Sequence, residues 1–322
     1  KLNMSGDVDT LAHYVGRLGE AFLVSGQDVE GERLLHRALR LAERLHDRPA
    51  RRRWAAALAE RDMAAQRHDD AHKHLTQVLE TFDTESHISG ERARALAQMS
   101  RVCLRLGDTA AAQDHAKQAA RLLPAEAPEA LRALVTGALG IALRGSGDLS
   151  GAIPHLQEAA QLYSEMNSAD AFQIEVLRAV AAARARITGT EAGEAAYTDA
   201  IRRAEQIGAR VEGAQARLDL GLLHMRTRRM HAAVEVWKAA LTVYEAERSY
   251  AYAARVRCDI ASAWRFLGQH QRAMKEYEQA LMDLNSADDW VTRGLVLANA
   301  APAYADQGDV ESAEAFFNES IT

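Results

Sequence analysis

Apolar residues recur along most of the chain with the 3.6-residue period of a helix that buries one face, and polar residues lie between them. Short polar turns interrupt this pattern every 40 or 41 residues. The turns fall at Gly26, Gln66, Gly107, Gly147, Thr188, Arg228, Gly268 and Gly308. This regular spacing predicts eight repeated units, each with two helices of roughly 14 residues joined by its turn.

Small residues form columns in the same register and support it independently. Seven residues before the turns stand Gly19, Ala59, Ser100, Gly140, Ala181, Gly221, Ala261 and Ala301. Five residues after the turns stand Gly31, Ala71, Ala112, Ala152, Gly193, Ala233, Ala273 and Ala313. Because two helices cross closely only where side chains leave room for the backbones, these columns predict the helix crossings.

Large residues fill a third column, nine residues after the turns. Its members are Leu35, Leu75, Leu156, Tyr197, Trp237, Tyr277 and Phe317, and Ala116 is the exception. Their spacing is that of the repeat, so we predict that they are core residues. One helix pair cannot bury its apolar stripe alone, and neighbouring pairs must therefore stack into a continuous core.

The predicted fold class is all-α, a right-handed superhelical solenoid of about eight antiparallel helix pairs. A lead-in covers residues 1–9, and the repeats cover 10–49, 50–89, 90–130, 131–170, 171–211, 212–251, 252–291 and 292–322. The last repeat is truncated, since the sequence stops at Ile321 and Thr322 inside its second helix. Pro302 should kink the first helix of that repeat. We expect the array to be part of a longer protein, or its uncapped end to dock on another surface or on a second copy.

Composition narrows the classes of function. Of the 322 residues, 48% are apolar, which excludes a disordered chain, and the net charge of −6 argues against wrapping nucleic acid or an anionic membrane. The two cysteines, Cys103 and Cys258, form no pattern and are typical of buried thiols in a reducing compartment. No stretch is long and apolar enough to span a bilayer, and no signal-peptide pattern opens the sequence. We therefore expect a cytoplasmic location.

The succession of small, turn, small, aromatic and small positions resembles the tetratricopeptide repeat over nearly the whole chain. The common repeat of that family has 34 residues, whereas units of about 40 are similar to those of kinesin light chains. They also resemble the sensor domains of bacterial STAND-type transcription activators and of peptide-sensing quorum regulators. The resemblance implies a solenoid that binds a protein or peptide along the groove lined by its first helices.

Catalytic and cofactor signatures are absent from the sequence, so we predict no enzyme activity and no cofactor. There is no phosphate-binding loop, no nucleophile elbow and no His-Glu-x-x-His zinc motif. His68 and His72 could share one helix face, but no closed set of metal ligands accompanies them, and we predict no metal site.

Arginines are concentrated at the positions that would line the groove by analogy with this family. These positions lie 13, 10, 9, 6, 3 and 2 residues before each turn. They hold Arg17, Arg53, Arg94, Arg101, Arg105, Arg144, Arg178, Arg186, Arg226, Arg255 and Arg265, and Asn299 is the asparagine among them. The acids there are Glu20, Glu60, Glu175, Asp219, Asp259 and Asp306. An arginine excess within an acidic protein predicts an electropositive groove for carboxylates or phosphates; solvated helix faces are the alternative.

Two functions remain open at this stage. The first is a protein- or peptide-binding scaffold, the sensor or recognition arm of a larger bacterial regulatory protein, with an acidic partner in the arginine groove. The second is a nucleic-acid-binding helical repeat domain that uses the same groove. Aromatic residues for base stacking are missing from the groove positions apart from Phe266, which favours the first.

Overall fold

The chain is described by a computed structural model over residues 4–25, 27–82, 89–284 and 289–320, and these residues form sixteen α-helices and no strand. The first eight are α1 (Met4–Val24), α2 (Asp28–Arg44), α3 (Arg48–Ala64), α4 (His68–Glu80), α5 (Ser89–Arg105), α6 (Thr109–Leu122), α7 (Glu129–Gly145) and α8 (Leu149–Glu165). The others are α9 (Phe172–Ile187), α10 (Thr190–Ile207), α11 (Arg210–Arg226), α12 (Met230–Ala246), α13 (Tyr250–Phe266), α14 (His270–Leu284), α15 (Trp290–Ala305) and α16 (Val310–Ser320). The all-α prediction is confirmed.

Each odd-numbered helix packs most extensively against the even-numbered helix that follows it, which gives eight antiparallel pairs. From the second pair onward, the first helix begins within two residues of the predicted repeat boundary, whereas α1 begins at Met4, inside the predicted lead-in of residues 1–9. The helices form two compact units, residues 1–168 with α1–α8 and residues 169–322 with α9–α16. Each unit contains four helix pairs.

The small columns lie at the helix crossings, as the sequence predicts, and every member of the two columns named above is buried. Gly140 in α7 shows why bulk is excluded, because a Cβ atom there would lie 2.7 Å from Leu156 Cγ and 3.0 Å from the backbone nitrogen of Leu156. At Gly221 in α11 the Trp237 ring occupies the same kind of space, with Nε1 only 2.1 Å from the position of an added Cβ. Small residues therefore set the helix spacing within each pair.

Left-handed backbone conformations mark the turns inside the pairs. Gln66 and Arg228 have φ angles of 61° and 60°, and glycines take this conformation at the turns of four other pairs. In the fifth pair the predicted turn residue, Thr188, follows α9 with φ of −97°, and the next residue, Gly189, which has no Cβ to clash, has a positive φ of 115°. Gly26, the predicted turn of the first pair, lies outside the described residues.

The turns between pairs also use left-handed residues, which the sequence analysis did not anticipate. His46, Asn167, Gly208 and Arg248 have φ angles of 56°, 44°, 72° and 54°. Asn and Gly adopt this conformation readily, but His and Arg do so at a cost, so residue type alone does not reveal these turns.

The large residues nine positions after the turns are buried, as predicted, except in the last pair. Leu35, Leu75, Trp237 and Tyr277 are almost fully buried, whereas the Phe317 side chain is 58% exposed. The core prediction for Phe317 is therefore wrong, because within the described residues no helix follows α16 to cover that face. Pro302 lies inside α15, as predicted, and Ile321 and Thr322 lie outside the described residues.

Candidate partner-binding face

The first helices of the pairs form a layer of their own in each unit, here called the first-helix layer: α1, α3, α5 and α7 in the first unit, and α9, α11, α13 and α15 in the second. In this layer α5 packs against α7, α9 against α11, and α13 against α15. No comparable packing joins two even-numbered helices in the described part of the chain. Closer spacing of one layer is typical of the concave side of a helical array.

Arg178 on α9 is held by α11 rather than left open to a ligand. Its Nε donates to Asp219 Oδ2 at 2.8 Å and its Nη1 donates to Gln215 Oε1 at 2.6 Å. Burial disfavours the charged guanidinium, but the attraction of Asp219 outweighs it, so the pKa of Arg178 is raised. Arg178 is therefore paired within the fold, because the neighbouring first helix places an acid within its reach.

Arg53 on α3 is paired in the same way in the first unit. Its Nη2 lies 3.0 Å from Glu20 Oε2 on α1, and its guanidinium stacks over the Trp54 ring at 4.8 Å. On the next first helix, Gln98 Nε2 of α5 donates to Glu60 Oε1 of α3 at 3.2 Å. Polar contacts of this kind join successive first helices, so part of the predicted groove charge is neutralised inside the fold.

The other predicted groove residues fall into three groups. Arg265 is 3.8 Å from Asp306 Oδ2, and Asn299 Nδ2 donates to the Leu295 carbonyl oxygen at 2.8 Å. Arg101 is half-buried on α5, while Arg105 and Arg144 are exposed near the ends of α5 and α7. A third group is exposed and forms no ion pair with the residues the structure describes: Arg94 on α5, Arg186 on α9, Arg226 on α11 and Arg255 on α13.

Asp259 is a half-buried carboxylate on α13, one helical turn from Arg255. Burial raises the pKa of Asp259 to about 6, although the positive charge of Arg255 lowers it. The ionised form is therefore poorly solvated where it stands.

Apolar side chains are exposed near the C-terminal ends of several first helices, and most of them had no predicted role. They are Leu106 directly after α5, Ile187 on α9, Leu222 on α11 and Phe266 on α13. All lie one, two or six residues before a turn of the repeat, so the register itself could have found them. Each one stands beside or one turn from a groove arginine.

The histidine segment around His68 is part of an ion network rather than a metal centre in the described structure. His74 Nδ1 lies 2.7 Å from Asp62 Oδ2, and Arg67 reaches both Asp62 and Glu32. This network joins α2, α3 and α4. Within the described ranges, no group of three His, Cys, Asp or Glu side chains is placed to hold a metal ion.

The helices were also compared with the length and polarity of a membrane span. In the described residues none combines the length and the apolar character that crossing a bilayer requires.

Comparison with known proteins gives one curated relative at the sequence level. No protein-family model matches the chain. Regulatory protein AfsR of Streptomyces griseus is 35% identical over 153 residues, which is 46% of this chain and 14% of AfsR. The chain thus spans about a seventh of the length of the curated relative that it matches.

Solved structures share the fold at low sequence identity. A signal transduction ATPase with numerous domains (STAND) and a tetratricopeptide repeat sensor, from Pyrococcus horikoshii, has a TM-score of 0.65 at 13% identity over 96% of this chain and 46% of that chain. A Rap protein complexed with competence and sporulation factor has a TM-score of 0.67 at 13% identity over 98% of this chain and 97% of that chain. The chain therefore has a tetratricopeptide-like helical-repeat fold.

Proposed function

We propose that this chain is a protein- or peptide-binding scaffold, the sensor or recognition arm of a larger bacterial regulatory protein that acts in the cytoplasm. It binds through its first-helix layer and catalyses no reaction. The likeness to a regulatory protein over nearly half of the chain supports this proposal, as does the fold shared with a tetratricopeptide repeat sensor and a Rap protein.

The observation that carries the proposal is the group of exposed arginines on the first-helix layer that form no ion pair with the residues the structure describes, namely Arg94, Arg186, Arg226 and Arg255. The protein as a whole carries a net charge of −6, yet Asp259, a carboxylate that is influenced by the charge of Arg255, forms no ion pair with it. Arg186 on α9 and Arg226 on α11 occupy the same repeat position on two first helices that pack together, and like charges held close to each other repel. A partner that supplies carboxylates relieves this repulsion and is bound by charge-assisted hydrogen bonds.

The paired arginines serve a different purpose in this proposal. Arg53 and Arg178 each join two neighbouring first helices through an acid, so they fix the spacing of the layer. The unpaired arginines then stand on a surface that is already ordered, and a bound partner does not have to order it.

A labelled oligoglutamate peptide, titrated into the full chain at increasing salt, tests this function. We expect binding that weakens with salt, and that weakens several-fold in the double variant Arg94→Glu/Arg226→Glu. Arg33→Glu, on the second helix α2, is the matched control and should bind like the wild type. A single-stranded oligonucleotide of equal charge is the competitor. Tighter binding of the oligonucleotide than of the peptide contradicts the proposed function and favours the nucleic-acid alternative. An equal loss of peptide affinity in the Arg33→Glu control also contradicts the proposed function.

A further inference from the structure

Three consecutive first helices of the second unit end in an exposed row that combines positive charge with apolar surface. Its members are Arg186, Ile187, Leu222, Arg226 and Phe266, and we call it the Arg–apolar row. Arg186, Arg226 and Phe266 each stand two residues before a turn of the repeat, and therefore occupy the same place in successive pairs. Stacking of the pairs brings equivalent places into line along the layer.

The positive charge of this row is not neutralised within the fold. Neither Arg186 nor Arg226 forms an ion pair with a residue that the structure describes. Arg184 and Arg228, two residues away from them in sequence, are exposed as well. Nearby, Arg229 is held by Glu194 at 2.6 Å, and Arg265 lies 3.8 Å from Asp306, so these two acids already have partners. The guanidinium groups of Arg186 and Arg226 are therefore available to bind carboxylates of a partner.

Apolar surface accompanies each of these arginines. Ile187 follows Arg186 directly and is 60% exposed, and Leu222 lies one helical turn before Arg226 and is 42% exposed. Phe266 continues the row on the next first helix and is 60% exposed. Scattered apolar side chains on a surface need no explanation, but Ile187, Leu222 and Phe266 all lie within the last two turns of successive first helices, beside or one turn from an arginine. Exposed apolar surface that is rimmed by charge marks an interaction site. Arginine and aromatic residues are also the side chains that contribute most to binding at protein interfaces.

We propose that the Arg–apolar row binds a peptide segment that is both acidic and apolar, with its carboxylates on Arg186 and Arg226 and its apolar side chains on Ile187, Leu222 and Phe266. This inference rests on the proposed function and narrows it, because a purely acidic segment would leave the apolar half of the row in water. The occupant is set by charge complementarity, since the row offers cations and apolar carbon but no unpaired acid among the described residues that form it.

Two synthetic peptides of equal length and charge distinguish the contribution of the apolar side chains to binding from that of the arginines. One alternates Glu with Leu, and the other alternates Glu with Ser; each is labelled and titrated into the full chain. We expect the Glu/Leu peptide to bind about tenfold more tightly than the Glu/Ser peptide, a difference of about 1.4 kcal/mol. In the variant Phe266→Ser this advantage should shrink several-fold, while binding of the Glu/Ser peptide stays unchanged. The double variant Arg186→Ala/Arg226→Ala should weaken both peptides.

Matched controls lie in the same unit but away from the row. Met282 on the second helix α14 is 60% exposed, as Phe266 is, so Met282→Ser removes equal apolar exposure elsewhere. Arg248 is an exposed arginine in the turn before α13, at the opposite end of that first helix from Phe266, and Arg248→Ala removes one charge there. Neither control should change the affinity for either peptide.

Failure of this inference can be told apart from failure of the proposed function. If both peptides bind equally and only the arginine variants weaken their binding, the proposed binding of an acidic partner is supported. The proposed role of Ile187, Leu222 and Phe266 is then wrong. Equal effects of Phe266→Ser and Met282→Ser overturn it as well. If neither peptide binds and the oligonucleotide does, the proposed function itself is wrong.

Discussion

At the scale of the single residue, an added Cβ atom or a removed charge changes the stability of the fold at particular positions. The small columns of the helix crossings could be predicted from the sequence, because close approach leaves no choice of residue. The partners of Arg53 and Arg178 could not be predicted, because each lies on the neighbouring first helix, 33 and 41 residues away in sequence. A repeat period shows that two helices are neighbours but does not show which side chains reach each other.

Gly140→Ala should destabilise the protein, because the new Cβ would lie 2.7 Å from Leu156 Cγ and 3.0 Å from backbone that cannot move freely. Overpacking of this kind costs about 1–3 kcal/mol, and Gly140→Leu should cost more. Gly90→Ala on α5 is the control, since its Cβ would be 3.4 Å or more from its neighbours. Chemical denaturation measures both, and equal midpoints for the two alanine variants would refute the assigned crossing.

Asp259 predicts a pH dependence with a definite sign. Its folded-state pKa of about 6 lies above the ordinary value of 3.8, so the unfolded chain loses the proton first as pH rises. The free energy of unfolding therefore falls between about pH 4 and 6. Asp259→Asn should match the wild type below pH 4 and exceed its stability at pH 7, by an amount of order 2 kcal/mol.

Urea denaturation across this pH range measures the effect of Asp259→Asn. The control is Glu191→Gln, a variant at an exposed position of the same unit, whose stability profile should run parallel to that of the wild type. If Asp259→Asn is less stable than the wild type at pH 7, the Asp259 carboxylate is stabilised in the fold and its assignment as a poorly solvated group is wrong.

At the scale of the helix, ion pairs join elements that the apolar columns alone do not orient. Arg257 of α13 bonds Asp283 of α14 at 2.8 Å and Glu276 of α14 at 3.1 Å, and it also bonds Glu245 of α12. One guanidinium thus joins three helices with its planar set of donors, an arrangement that Lys cannot copy. The helices themselves could be predicted from periodicity, but the exposure of Phe317 could not: it has the residue type of a core position and lacks a following helix within the described residues to cover it.

Removing Arg257 should leave three carboxylates close together without their cation. We expect Arg257→Ala to destabilise the protein by about 3 kcal/mol, with Arg257→Lys intermediate, because the Arg257 side chain is only 15% exposed. The loss should diminish in acid, where the carboxylates are protonated. Arg202→Ala removes an exposed pair with Asp199 and should change stability by less than about 0.5 kcal/mol. Similar losses in the two alanine variants would contradict the assigned role of Arg257.

At the scale of the whole molecule, an acidic chain carries exposed groove arginines, without an ion pair among the described residues, on the first helices of each unit. The first-helix arginine excess was visible in the sequence once the repeat register was known. The division into arginines that join neighbouring first helices and arginines without an ion pair among the described residues required the structure, since Arg53 is paired with an acid whereas Arg94 and Arg255, at the same repeat position, are not. The repeat register places Leu222 and Phe266 at groove positions, but the exposure of these two side chains and of Ile187 required the structure, because their residue types are common in cores.

Hydrogen exchange of the full chain with and without the Glu/Leu peptide tests the central claim most directly, because it reports which helices the ligand covers. The account predicts slower exchange in the first helices α9, α11 and α13, and unchanged exchange in the second helices α10, α12 and α14. Arg186→Ala/Arg226→Ala should abolish that protection. Protection confined to the second helices, or protection that survives in the double arginine variant, would contradict the account.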